Sequence, residues 1–354
     1  MSHTIHHLLV LAIFIGMLFP AVSADISAVQ ELPRVHILAT GGTIAGNANS
    51  STDTVHYRPG EIGVDVLIDS VPEIRQYTRV TGEQVCNINS DDITPAIWLN
   101  LSRRINAVLA DPGVEGVVVT HGTDTLEETA YFLNLAILSE KSVIITGSMR
   151  PATALSADGP MNLLNAVRLA ASEDARGKGV LIALNGEING ARDTTKSNTQ
   201  SVQTFSSPDL GLFGYVKDGK PMIYRTSARK NTLSSEFNLS SLTALPRVDI
   251  VMTYPGMDSV AMDAFSGRGS QGIVVAAMGN GEYPAVIQPA LEAAALKGIP
   301  VVISSRTGSG ITSVKDPRFI SADTLTPQKA RILLMLALTK TNNRDRIAGM
   351  FRNY

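Results

Sequence analysis

The chain has 354 residues, 44% of them hydrophobic and 18% charged, with a formal net charge of -2. That length and apolar content suit a large buried core divided between two domains. The near-neutral balance excludes sequence-independent attraction to nucleic acid or to anionic lipid, and leaves small-molecule chemistry as the leading class.

Leu8 to Phe19 is an unbroken apolar or glycine run, followed by Pro20 and the small-residue segment Val22-Ser23-Ala24. This pattern reads as a secretory leader over residues 1-24, cleaved after Ala24, although its amino-terminal region carries His3, His6 and His7 and no Lys or Arg. The run is shorter than the ~18 to 20 residues that span a bilayer, so no membrane attachment is expected after cleavage. A periplasmic or secreted protein follows from that reading. The single cysteine, Cys86, cannot form an internal disulfide even in an oxidising compartment, and within Val85-Cys86-Asn87-Ile88 it reads as a small core residue.

Beyond the leader, short β-branched runs alternate with helical patterns. Val35 to Ala39, Val117 to Val119, Val143 to Thr146 and Val180 to Leu184 read as buried strands, and Glu127 to Leu138 and Asn162 to Ala171 as helices between them. The alternation predicts βαβ units, hence a larger N-terminal α/β domain over residues 25-224 with a mostly parallel sheet. From Lys217 to about Pro246 the pattern becomes polar and irregular, which reads as a hairpin followed by an interdomain linker over 225-246. Apolar runs return at Val248 to Met252, Gly272 to Met278 and Pro300 to Ser304, and the helical pattern Pro327 to Thr339 closes a smaller C-terminal α/β domain over 247-354.

Two threonine-bearing loops directly follow predicted strands: Thr40-Gly41-Gly42-Thr43-Ile44-Ala45-Gly46 and Thr120-His121-Gly122-Thr123-Asp124-Thr125. Ligands of open α/β sheets gather where such strands end. A hydroxyl nucleophile needs a base to take its proton, yet the chain beyond the leader has only His36, His56 and His121. It contains neither a G-x-S-x-G elbow nor an H-E-x-x-H pair, so a serine-histidine triad and a zinc hydrolase are both poorly supported. Lys196, in a polar segment beyond the strand that ends near Leu184, is a candidate base, because lysine pKa values respond to burial and to neighbouring cations. Asp124 is placed to hold that lysine or to bind a substrate ammonium group. The bland alternative for Lys196 is a surface pair with Asp193. Thr125 and Glu128 have capping-box spacing, which predicts a helix start there. Asn47 to Pro59, polar and containing Tyr57, reads as a mobile lid.

These motifs resemble those of the bacterial-type L-asparaginases, in particular the secreted type II enzymes of the asparaginase/glutaminase family, over nearly the whole chain beyond the leader. The resemblance is carried by Ala39 to Gly46, by Val119 to Ala130, by Gly147-Ser148-Met149-Arg150-Pro151, by Ser156-Ala157-Asp158-Gly159-Pro160, by Arg192-Asp193 with Lys196, and by Pro327-Gln328-Lys329-Ala330-Arg331. It implies hydrolysis of asparagine to aspartate and ammonia through a threonine acyl-enzyme, with or without a glutaminase side activity, as a step of asparagine catabolism. On the matching positions Thr43 is the nucleophile, helped by Tyr57, while Thr123, Asp124 and Lys196 form a second catalytic group. Gly42, Ser90, Asp91, Thr123, Asp124 and Ser148 contact substrate, and Asn280 and Glu282 reach it from a neighbouring subunit.

The resemblance further implies no metal or organic cofactor and a homotetramer built as a dimer of dimers. The sequence departs from the family in three places: Asp91 stands where Gln or Glu is common, Glu282 where Asn or Ser is usual, and the Gly308 to Phe319 loop is shortened. That shortened loop lacks the family's tyrosine-partner Glu, for which Asp316 is a substitute. A leader with two α/β domains also fits a periplasmic amino-acid-binding protein without catalysis. Ser227-Ala228-Arg229-Lys230 has S-x-x-K spacing, but S-D-N and K-T-G do not accompany it.

Overall fold

Strand β1 (Arg34–Gly41) begins the first layer of a computed structural model that describes residues 31–354. The leader expected over residues 1-24 therefore lies outside the described residues. After β1 come the hairpin β2 (Asn47–Ala48) and β3 (Tyr57–Arg58), then α1 (Val64–Asp69), β4 (Arg79–Ile88), α2 (Pro95–Leu109), β5 (Val114–Thr120), α3 (Leu126–Ala136), β6 (Ser142–Thr146) and α4 (Gly159–Ala170). The domain continues through β7 (Val180–Leu184), β8 (Glu187–Gly190), β9 (Thr195–Lys196), β10 (Phe205–Ser206), β11 (Gly214–Lys217) and β12 (Lys220–Ile223).

The main sheet has eight strands in the order β12-β11-β8-β7-β6-β5-β1-β4. Its β4, β1, β5, β6 and β7 run parallel, and β8, β11 and β12 close it antiparallel. The inner strands β1, β5, β6 and β7 are largely buried and apolar because both of their faces are covered, whereas the edge strand β4 is not. Val117 and Val119 point into a core with Trp98, Leu101 and Ile105 of α2 and Phe132 and Leu133 of α3. Val118 points the other way, into a core with Leu67 of α1 and Leu163 and Val167 of α4. The strand period of two and the helix period near four thus meet on each face.

The smaller domain stacks β13 (Val248–Met252), β14 (Gly272–Ala277), β15 (Val301–Ser305) and β16 (Ile320–Ser321) as a parallel sheet in that order, with α5 (Val260–Gly267), α6 (Gln288–Leu296), α7 (Pro327–Leu338) and α8 (Arg344–Asn353). Helix α7 is buried from both sides: Leu333 and Leu336 share one continuous core with Val274 and Val302 of their own sheet and with Phe132 and Leu133 of α3. The two sheets are therefore joined by an apolar seam.

All the strands read from the sequence are present, but β4 and α2 were not anticipated. β4 is one of the sheet's two edge strands, with four of its ten residues exposed and the rest half-buried, so its apolar signal is weak. α2 has clear start signals, with Pro95 in its first turn and the Thr94 side chain accepting the Ile97 N–H. The β11–β12 hairpin begins at Gly214, earlier than the Lys217 of the sequence reading, and turns on Asp218-Gly219 with φ of 51° and 76°, as a type I′ turn requires. The irregular segment after it buries Phe237 and Leu239 in the main core. Cys86 is not the core residue the sequence suggested: it lies half-buried in β4 with its thiol against the Thr40 carbonyl at 3.5 Å, and burial raises its pKa.

Candidate active site

The carboxyl ends of β1, β5 and β4 lie side by side, with Ala39 opposite Thr120 and Gly41 opposite Ile88. The Thr43, Thr123 and Ser90 loops therefore emerge together. Two glycines let them touch backbone to backbone. A Cβ on Gly42 (φ +79) would lie 2.3 Å from Gly122 Cα and N, and a Cβ on Gly122 would lie 2.7 Å from Ser90 Oγ. Only glycine fits both positions, which gives the G-G-T and H-G-T-D patterns their physical meaning.

Thr43 is buried at the start of a single 3₁₀ turn, and its Oγ1 lies 2.7 Å from the Tyr57 hydroxyl. The Tyr57 ring packs so closely under Gly46 that a Cβ there would meet the ring at 2.8 Å. The sequence reading of Asn47 to Pro59 as a lid resolves into the β2–β3 hairpin, with Ala48 opposite Tyr57. Three bonds hold this hairpin against the segment after Arg150: Ala48 N to Thr153 Oγ1 at 2.9 Å, Ala152 N to the Gly46 carbonyl at 3.0 Å and Leu155 N to the Ser51 carbonyl at 3.0 Å. Sequence reasoning missed Thr153.

Lys196 reaches the second threonine from β9: its Nζ donates to Thr123 Oγ1 at 3.0 Å and to Asp124 Oδ1 at 2.5 Å. The bland pairing with Asp193 is overturned, because Asp193 is engaged by Arg192 at 3.1 Å. The Lys196 backbone N–H donates to Glu127 Oε2 at 2.5 Å, so a carboxylate in the first turn of α3 ties the strand of Lys196 to the helix that follows Thr123. The backbone N–H groups of Thr123 and Asp124, both in the lining of the cavity described below, have no acceptor among the described residues. Thr125 does occupy the N-cap of α3, yet its side chain makes no cap bond and instead donates to the Ser90 carbonyl at 2.6 Å. The capping box is corrected accordingly: that hydroxyl ties the third loop to the second.

Behind the loops, His121 is fully buried and burial lowers its pKa to about 4. The Gly122 carbonyl, 2.7 Å from Nδ1, can only accept, so Nδ1 carries the proton. The Thr129 hydroxyl accepts from Trp98 Nε1 at 2.8 Å and donates to His121 Nε2 at 2.9 Å. His121 is thereby a neutral strut under the second loop.

Thr43, Tyr57, Thr123, Asp124 and Lys196 line one cavity of about 610 Å³, whose other walls include Val55, Met149 and Arg150. Ser90 is 2% exposed and its hydroxyl has no partner among the described residues, while Asp91 is exposed. Ser148 Oγ is turned away onto the Arg150 carbonyl at 2.7 Å, so its hydroxyl is committed within the protein. Asn280 and Glu282 lie outside this cavity. Glu282 flanks a separate hollow of about 290 Å³ and pairs with Lys315 at 2.5 Å. Asp316 is held by Arg318 at 2.6 Å, which keeps its carboxyl low, at about 2, and no bond joins it to Tyr57. Among the described residues no three His, Cys, Asp or Glu side chains stand close enough together to hold a metal ion.

The family model "Asparaginase, N-terminal" matches residues 34–229, and "Glutaminase/Asparaginase C-terminal domain" matches residues 247–351. The chain belongs to the asparaginase family. It is 47% identical over 338 residues to "L-asparaginase 2" of Bacillus subtilis, covering 94% of this chain and 89% of that relative. It is 44% identical over 336 residues to "Probable L-asparaginase periplasmic" of Haemophilus influenzae, covering 93% and 95%. Among solved structures, "Probable Cytoplasmic L-asparaginase" from Campylobacter jejuni superposes with a TM-score of 0.89 at 47% identity, covering 91% of this chain and 100% of the other. The chain is thus an enzyme of this family, and the binding-protein reading is withdrawn. The geometry agrees, because the candidate site lies at the end of one sheet and not in a cleft between two separable lobes.

Proposed function

We propose that the enzyme hydrolyses the side-chain amide of L-asparagine, with glutamine as a slower second substrate, through an ester on Thr43. The observation that carries this reading is the convergence of two hydroxyls on one cavity, Thr43 beside Tyr57 and Thr123 beside Lys196 and Asp124. Thr43 Oγ1 attacks the amide carbon, its proton passes by way of Tyr57 to the departing nitrogen, and the C–N bond breaks to release ammonia. Water activated at Thr123 with Lys196 then attacks the ester, giving aspartate and restoring the Thr43 hydroxyl. Charge on the amide oxygen is met by the open N–H groups of the second loop at the start of α3. Ser90, whose buried hydroxyl lacks a partner, serves the α-carboxylate, and Asp91 and Asp124 the α-ammonium.

Secretion into the periplasm or medium after cleavage at Ala24, and assembly as a homotetramer in which Asn280 and Glu282 approach a neighbouring site, complete the proposal. Ammonia release from asparagine and glutamine by residues 25 to 354 tests it alongside Thr43→Ala and Thr123→Val, each expected to lower turnover by at least about a hundredfold. Mass spectrometry of acid-quenched enzyme should show an aspartyl adduct that Thr43→Ala lacks. Undiminished turnover in a folded Thr43→Ala protein would refute the nucleophile.

A further inference from the structure

The segment that carries Lys196 is gripped from behind by the first turn of α7, which belongs to the other domain. Gln328 Nε2 donates to Glu127 Oε1 at 2.6 Å, and the second oxygen of that carboxylate accepts the Lys196 backbone N–H at 2.5 Å. The adjacent Lys329 ammonium donates to the Arg192 carbonyl at 2.9 Å and to the Thr194 carbonyl. Glu127 is 3% exposed and Lys329 1%. Burying two such charges is costly unless they are hydrogen-bonded and compensated. Here each finds partners on the same stretch, residues 192 to 196.

A two-residue strand is a weak platform for a side chain that must hold its position. β9 pairs only with β10, through Lys196 opposite Phe205 and Thr195 opposite Ser206. The clamp supplies what the strand lacks, by fixing the backbone on both sides of Thr195. Glu127 also stands four residues beyond Thr123, so the same carboxylate sets the spacing between the two partners of the 3.0 Å Thr123–Lys196 bond.

Resting on the catalytic reading of Lys196 given above, we propose that Gln328 and Lys329 are positioning residues for the reaction. Through Glu127 and the Arg192 and Thr194 carbonyls, the C-terminal domain of each chain holds Lys196 in register with Thr123. Neither residue touches the cavity, so neither contributes to substrate binding. Loss of the grip lets the Lys196 amine drift from Thr123, which slows turnover while asparagine still binds.

Gln328 is half-buried and tolerates replacement better than Lys329. Gln328→Met keeps the side-chain length and removes the donor, and Gln328→Lys restores a donor to Glu127. Gln328→Met is expected to lower kcat for asparagine about tenfold or more, with KM within about twofold and an unchanged circular dichroism spectrum. Gln328→Lys should regain most of that loss. In a Lys196→Met background, Gln328→Met should change the residual rate by less than about twofold, because residues that act through one group are not additive.

A Gln328→Met enzyme with unaltered kcat, or a loss of equal size in the Lys196→Met background, would overturn the clamp while leaving the catalytic reading intact. Full turnover by Lys196→Met itself would instead bring down that reading, and the clamp with it.

Discussion

Replacing Gly42 with alanine tests how the two loops meet. The added Cβ would lie 2.3 Å from Gly122 Cα and N, where ordinary contact begins at 3.4 Å, so the loops must separate by 3.4 - 2.3 = 1.1 Å. The atoms in the way are backbone and cannot swing aside. Gly42 also has φ 79° and ψ -171°, a region essentially closed to residues with a Cβ. Backbone strain of about 1–3 kcal/mol and overpacking of about 1–3 kcal/mol together predict a destabilisation of about 2–6 kcal/mol. Because Gly42 precedes Thr43, a separation of this size also displaces the nucleophile, and a misplacement near 1 Å costs about a hundredfold in rate. Gly63→Ala is the control, since a Cβ there meets nothing within 4 Å and the backbone is already in an ordinary conformation. Urea unfolding and ammonia release, run on both variants, check the expectation. Equal stability for the two, with full turnover by Gly42→Ala, would refute the claim that the glycine pair sets the site.

Thr153→Val removes the acceptor of the Ala48 N–H; leaving that donor unmet costs the closed hairpin about 1–3 kcal/mol. A kcat/KM near a tenth of the original and faster proteolytic nicking around residues 50–56 are expected, measured by ammonia release and by a timed digest. Asp91→Asn should raise KM for asparagine about tenfold and leave kcat within about threefold, as loss of a charge partner to the substrate ammonium requires; an unchanged KM would remove Asp91 from the binding set. His121 has a folded-state pKa of about 4 against about 6.5 when unfolded. Between those values the unfolded chain binds more protons, so stability is full above about pH 6.5 and falls as pH drops towards 4, by about 3 kcal/mol from this group. His121→Gln should flatten that part of a stability-versus-pH curve, and an equally steep curve would assign the slope to other groups.

The parallel strands were legible because burial on both faces leaves continuous runs such as Val117-Val118-Val119. Edge strand β4 was not, since four of its ten residues are exposed, none is fully buried, and the apolar signal is diluted. Spacing found the threonine loops but had no means of joining Thr123 to Lys196 across 73 positions; only the resemblance and then the fold brought them together. Glu127 and Gln328 stood in plain view within the quoted motifs. Their contribution stayed hidden because a hydrogen bond between residues 201 positions apart leaves no local pattern. The Thr125 cap failed for a similar reason, as the Ser90 carbonyl, 35 residues away, outcompetes the helix end for its hydroxyl.

The apolar seam through α7 has a kinetic consequence. Two sheets that share one core cannot swing apart to admit a ligand without exposing Phe132, Leu133, Leu333 and Leu336 to water, at roughly 1.5–3 kcal/mol for each side chain. A hinge between domains is closed to this enzyme as a way in. The cavity is walled instead by the short hairpin bearing Tyr57, with Val55 solvent-exposed, and by Thr199 and Gln200 in the segment after β9. A way in that leaves the core intact runs past these surface segments, and the rest of the molecule is free to stay rigid.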